Sequence, residues 1–282
     1  MLALVTGVFF HEHFVGKEWP VIGDRYEGFP ELLSELEREF PNVRLIRPEP
    51  APEELLARVH TPEHLARVRR VWYYEGARLT VGAFVKACEM VWLGKLGNAV
   101  VFLVAAGHHA HRDYAWGGTY LSLIGPALLR LRELGLRRLA YIDTDAHHAD
   151  GAREILMGDR DVLHICFCHR DVMEDDGTKI CVDVGWSTTD DAYLARVREV
   201  MPTIRAFKPQ MILHFLGHDT HKEDYGSLGL SEGFFISLVG ELKALAGEVC
   251  NGRYVIAHGG GANKRVVKQI WPEIIKLLAK DP

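Results

Sequence analysis

The sequence predicts an α/β fold: one domain over residues 1–282, in three layers, with a mainly parallel central sheet between two layers of helices. Short β-rich apolar runs alternate with longer stretches of helical period along the whole chain, the pattern of a parallel sheet covered on both faces. No linker, repeat or low-complexity tract of useful length breaks that alternation. The 282 residues, 48% hydrophobic and 25% charged, suffice for a large core and exclude disorder, collagen and a small disulfide scaffold.

Strands are expected at Leu2–Phe10, Val43–Ile46, Ala99–Ala105, Arg138–Asp143, Val162–Phe167, Gln210–Leu216 and Arg253–Ala257. Between them, apolar residues three and four apart predict helices at about 27–40, 61–73, 80–96, 119–134, 190–207, 231–248 and 263–279. Ser231-Glu232-Gly233 and Thr188-Thr189-Asp190-Asp191 read as helix starts.

Charge and cysteine content narrow the function. With 33 Lys and Arg against 38 Asp and Glu, the formal charge is −5, which argues against nucleic acid as a partner. The basic clusters Arg67, Arg69, Arg70 and Arg130, Arg132, Arg137, Arg138 read as solvated helix faces. Five cysteines without a Cys-x-x-Cys pair suit buried thiols in a reducing compartment, so the expected location is cytoplasmic. The apolar run Leu2–Phe10 has no basic n-region, unlike a signal peptide. No stretch reaches the roughly 20 apolar residues a membrane span needs, so no membrane partner is expected.

The residues with unusual chemistry collect just after strands, where an open parallel sheet forms its ligand crevice. Asp143-Thr144-Asp145-Ala146-His147-His148-Ala149-Asp150 packs three carboxylates and two imidazoles into eight residues. Residues two apart in extended backbone point the same way, so Asp145 and His147 can grip one cation, with Asp143 deeper in the sheet. Mixed carboxylate and imidazole donors suit one zinc ion, with iron, cobalt or manganese as substitutes, better than calcium or magnesium. Asp219, in Gly217-His218-Asp219-Thr220, is the candidate third ligand; a turn or N-cap aspartate is the other reading.

A second cluster, Gly107-His108-His109-Ala110-His111, offers tandem histidines. One could take the proton of a metal-bound water and the other hold or donate one, each oriented by a spare carboxylate, Asp143 or Asp150. The last cluster, His258-Gly259-Gly260-Gly261-Ala262-Asn263, has neither phosphate-loop pattern, and a tight turn competes with a binding role.

In this order the four clusters resemble the arginase/deacetylase superfamily, and more closely its histone deacetylase, acetoin-utilisation and acetylpolyamine amidohydrolase branch. The resemblance spans most of the chain. It implies zinc on Asp145, His147 and Asp219, His109 as general base and acid supported by Asp150, and His108 with Asp143 tuning the electrostatics. It further implies a structural potassium ion near Asp143, Asp145 and His147, with Cys166 and Phe167 on the opposite wall, and substrate contacts at Gly117, Gly118, Gly260 and Gly261. The expected reaction is hydrolysis of an acylated amine, on a small molecule or a side chain, by metal-activated water.

Two positions depart from the resemblance. Ala262 stands where the branch carries an oxyanion-stabilising Tyr, and Gly118 where its substrate tunnel carries a Phe. Tyr114, Tyr225, His221 and His258 are loop residues that could replace the lost donor. The loop near 73–80 lacks the branch's aspartate and offers only Glu75. Two rival readings are a metal-containing sensor that binds without turnover and a dimetal ureohydrolase; Ala149 and His221 stand where the latter expects carboxylates.

Overall fold

The computed structural model describes residues 5–16 and 24–280, so Leu2–Leu4 of the first expected strand lie outside the described residues. The described residues form eleven strands: β1 (Thr6–Phe9), β2 (Val43–Ile46), β3 (Asn98–Val101), β4 (Ala106–Gly107), β5 (Leu121–Ser122), β6 (Leu139–Asp143), β7 (Val162–Cys168), β8 (Val172–Glu174), β9 (Lys179–Asp183), β10 (Met211–Leu216) and β11 (Tyr254–His258). Nine of them form one sheet in the order β2-β1-β3-β11-β10-β6-β7-β9-β8. Every pairing in it is parallel except that of β8 with β9.

The α-helices are α1 (Phe29–Glu39), α2 (Glu53–Ala57), α3 (Pro62–Val68), α4 (Tyr74–Trp92), α5 (Ile124–Glu133), α6 (Asp150–Leu156), α7 (Asp190–Phe207), α8 (Glu232–Cys250) and α9 (Lys264–Ala279). They cover both faces of the sheet. Ala140 and Ile142 of β6 point into a core shared with α1, α7, α8 and α9, whereas Leu139 and Tyr141 point into one shared with α4, α5 and α6. Burial on both faces is why the inner strands read as unbroken apolar runs. Thr189 caps α7 by accepting from the amide of Ala192, as the sequence predicts. Ser231 precedes α8 but turns its hydroxyl to the carboxylate of Asp190 instead.

Several boundaries move for visible reasons. The third strand ends at Val101, not Ala105, because the next carbonyls are taken by side chains: Leu103 O accepts from Arg25 and Tyr26, and Val104 O from Thr80. The helix expected from 80 begins at Tyr74, and that expected from 119 begins at Ile124, since Leu121–Ser122 pairs with Ala106–Gly107. β9 opens on a lysine, which hides it in the sequence. Lys179 is fully buried, its ammonium donating to the carbonyls of Asp159 and Val162. The exposed edge strand β8 is too short to leave a pattern.

Candidate metal centre

Strand order decides which loops meet. β3, β11, β10 and β6 are consecutive in the sheet, and the four chemically unusual clusters follow those strands. Residues more than a hundred positions apart thereby share one crevice: Asp145 Oδ2 accepts from the amide of Gly260 at 2.7 Å.

At its floor, His147 Nδ1 lies 3.1 Å from Asp145 Oδ1 and 3.0 Å from Asp219 Oδ2. The two carboxylates are buried, and Asp219 Oδ2 has no partner in hydrogen-bonding geometry. The three donor atoms lie within 4.8 Å of one another. Two buried carboxylate oxygens around one nitrogen require positive charge between them. In the protein alone that charge is a proton: the adjoining carboxylates of Asp145 and Asp219 push His147 up to about 11. A divalent cation meets the same requirement, and an orphaned oxygen with one imidazole and two carboxylates is a donor set that fits zinc.

Each tandem histidine has its own carboxylate. His108 Nδ1 donates to Asp143 Oδ2 at 2.8 Å, below the floor, and its ring stacks on Phe215. Burial opposes a proton on His108, but Asp143 and Asp145 outweigh it and raise the imidazole to about 9. His109 Nδ1 donates to Asp150 Oδ1 at 2.7 Å. Burial, followed by the neighbouring charge of His108, lowers His109 to about 4, so its Nε2 carries a free lone pair near neutral pH. Trp116, the residue before Gly117, packs its ring on His109 and donates from Nε1 to the other oxygen of Asp150 at 2.7 Å. Gly117 is required here: its φ is +57°, and a Cβ would come 2.5 Å from the His109 ring.

These groups open into a cavity of about 420 Å³ walled by Phe14, Leu103, Trp116, Tyr120 and Phe215, with Gly117, Gly118 and Gly260 also on its surface. Gly261 holds the loop instead of lining the cavity: its carbonyl accepts from Arg25 at 2.7 Å and its amide donates to Tyr225 Oη at 3.0 Å. Asp224 accepts from the next two amides, Ala262 and Asn263. Of the loop residues weighed as substitute donors, Tyr225 and His258 line the cavity. Tyr114 stacks on His111, and His221 faces Glu232. His258 is committed between Tyr26 and His218, whereas Tyr225 stands beside His147. Cys166, expected on a potassium wall, turns its sulfur towards His148. The roles of Arg25 and Asp224 leave no local motif, because both act on a loop more than thirty residues away in sequence.

A mostly parallel sheet carrying a convergent carboxylate–imidazole cluster flanked by two His–Asp pairs defines a deacetylase-like α/β architecture. Residues 21–278 match the histone deacetylase domain, and the chain belongs to that family. It is 27% identical to a probable deacetylase of Archaeoglobus fulgidus over 92% of this chain and 81% of that one. It is 29% identical to a histone deacetylase-like amidohydrolase of Pseudomonas aeruginosa over 77% of this chain and 66% of that one. The crystal structure of the HDA15 HD domain superposes with a TM-score of 0.83 at 21% identity, covering 98% of this chain and 90% of that one, so the fold is shared.

Proposed function

We propose that this chain, acting as one domain, hydrolyses an amide and releases an acetyl or other short acyl group from an amine. The observation that carries the reading is that three convergent donors, Asp145, His147 and Asp219, adjoin a cavity lined by His109, whose Nδ1 is held by Asp150 and whose second ring nitrogen is free. Bound there, a zinc ion would supply Lewis acidity and lower the pKa of water. Asp150 fixes the His109 tautomer, so Nε2 takes the proton of the attacking water and later returns it to the leaving amine. His108, held cationic by Asp143 and Asp145, keeps a positive charge at the cavity floor.

Tyr225 supplies the donor that Ala262 lacks. Its hydroxyl accepts from the Gly261 amide, which leaves its own hydrogen for a substrate oxygen, and burial raises its pKa so that the hydrogen stays on. A Cβ built on Gly260 would come 2.5 Å from Asp145 Oδ2 and 2.8 Å from Tyr225 Oη, so the hydroxyl and the metal ligand face the same small space. The substrate is an acylated amine; absence of a ring at Gly118 leaves room for more than a slender side chain. Five free buried thiols suit a reducing compartment such as the cytoplasm. No helix among the described residues is long and apolar enough to cross a membrane.

The test is hydrolysis of a panel of acetylated and formylated amines by the zinc-loaded protein, with His109→Ala as control. The variant should lose about 10²–10⁴-fold in kcat while retaining its zinc. No turnover on any member of the panel would sink the reading and favour the sensor.

A further inference from the structure

The proposed reaction leaves a second cluster unused. Cys166 and Cys168 lie two apart on β7 and so point to one face of the sheet. On β9, Cys181 sits directly opposite Cys166. His148, the residue after ligand His147, turns its ring to the same place. Its Nδ1 lies 3.6 Å from Cys166 Sγ, 3.7 Å from Cys168 Sγ and 3.6 Å from Cys181 Sγ. All three thiols are buried and in no disulfide.

We infer that His148, Cys166, Cys168 and Cys181 form a second metal site, a tetrahedral Cys3His site for structural zinc, separate from the catalytic centre. With Zn–S near 2.3 Å and Zn–N near 2.0–2.1 Å at tetrahedral angles, each nitrogen–sulfur edge comes to roughly 3.6 Å. The three nitrogen–sulfur edges agree with it; His148, Cys166 and Cys168 already bring their donor atoms within 4.8 Å of one another, and Cys181 joins them through His148. Soft sulfur donors exclude calcium and magnesium, and four protein ligands leave no open position for substrate or water.

The surroundings are those a bound thiolate needs. The amide of Ala149 donates to Cys166 Sγ at 3.4 Å, and Arg153 Nη2 donates to Cys181 Sγ at 3.2 Å. One dication with three thiolates and a neutral imidazole carries a net charge of −1, and the buried Arg153 guanidinium, shared with the largely exposed Glu174 carboxylate at 3.3 Å, lies against it. Loading would release three protons, one from each thiol. A hydrogen-bonded cluster of neutral thiols is the competing reading. It leaves Arg153 to its other partners, the Ile180 carbonyl at 2.9 Å and the Glu174 carboxylate at 3.3 Å, and does not call for the contact with Cys181 Sγ.

Such a site also bears on catalysis. Its histidine belongs to the loop that carries Asp145 and His147 and leads into α6 at Asp150, while its cysteines belong to the sheet. The metal therefore braces that loop against β7 and β9.

The test is metal analysis and zinc X-ray absorption on the full chain, purified under reductant and saturated with zinc. Expected are two zinc ions per chain and a sulfur shell at about 2.3 Å. Asp219→Ala should retain one ion with mainly sulfur ligands, and Cys181→Ser one with only nitrogen and oxygen. Reloading with cobalt(II) should give thiolate-to-metal charge-transfer absorption that survives Asp219→Ala. If Cys181→Ser fails to fold, the wild-type absorption and cobalt spectra decide. A wild-type spectrum without sulfur, immediate reaction of all three thiols with a thiol reagent in the zinc-saturated native protein, or a disulfide between any two of them would overturn the inference. A sulfur shell without amide turnover would sustain this site and defeat only the catalytic reading.

Discussion

Asp150 holds His109 from one carboxylate oxygen at 2.7 Å while its other oxygen accepts from the Trp116 indole, also at 2.7 Å. His109 is therefore fixed from two sides, by a hydrogen bond to its ring nitrogen and by an aromatic ring packed on its face. Asp150→Asn preserves shape but alters the tautomer balance of His109. Turnover should fall by about 10²–10⁴-fold with metal content unchanged. A variant that keeps wild-type kcat would remove Asp150 from the mechanism.

Tyr225→Phe deletes one hydroxyl, which is also the acceptor of the Gly261 amide. If it donates to the oxyanion, kcat should fall by about 10²–10³-fold with KM nearly constant. Ala262→Tyr should leave the wild-type rate within a few-fold but restore part of the loss in Tyr225→Phe. Equal kcat for Tyr225→Phe and wild type would show that the donor lies elsewhere.

Arg25 ties the glycine loop to the strand exit through the carbonyls of Gly259, Gly261 and Leu103. Arg25→Met leaves the Gly259 and Gly261 carbonyls without this donor in a buried setting, at a cost of about 1–3 kcal/mol for each one not rescued by water, while Leu103 O keeps its bond from Tyr26. Denaturant titration should show that loss, and turnover should fall because Gly260 no longer fixes Asp145. Arg25→Lys should recover only part, since an ammonium lacks the guanidinium fork. Wild-type stability in Arg25→Met would contradict this role.

His60 should make the fold sensitive to acid. Its Nδ1 donates to the carbonyl of His111 at 2.9 Å and its Nε2 accepts from the amide of Ser122 at 3.0 Å, so the folded state needs the neutral ring. Burial, aided by His64, lowers it to about 4 from an ordinary 6.5. Between those values the unfolded chain binds the extra proton. The contribution is therefore complete above pH 6.5 and is lost as pH falls towards 4, reaching about 3 kcal/mol. Denaturation midpoints at pH 7 and pH 5 should diverge less in His60→Gln than in wild type; equal divergence would exclude His60 as the source.

How much of this could be read from the sequence differs from element to element. β6, β7, β10 and β11 were legible within about a residue at each end, because strands buried on both faces must be apolar throughout. α6 was missed, since its first residue Asp150 belongs to the chemical cluster and its apolar face is only seven residues long. β9 was missed because a buried lysine looks like a surface one until its carbonyl partners are known.

The sequence by itself determined the fold class, the family resemblance and the residues in each chemical cluster, because burial pattern and ligand type are properties of composition and short spacing. Only the tertiary structure decided which clusters meet. Strand order brings the loops after β3, β6, β10 and β11 together, and parallel register sets Cys181 opposite Cys166. It also singled out Tyr225 from four loop residues and revealed Arg25 as the tie on the glycine loop. Long-range pairing is set by the packing free energy of the whole core, and no local stretch of chain carries it.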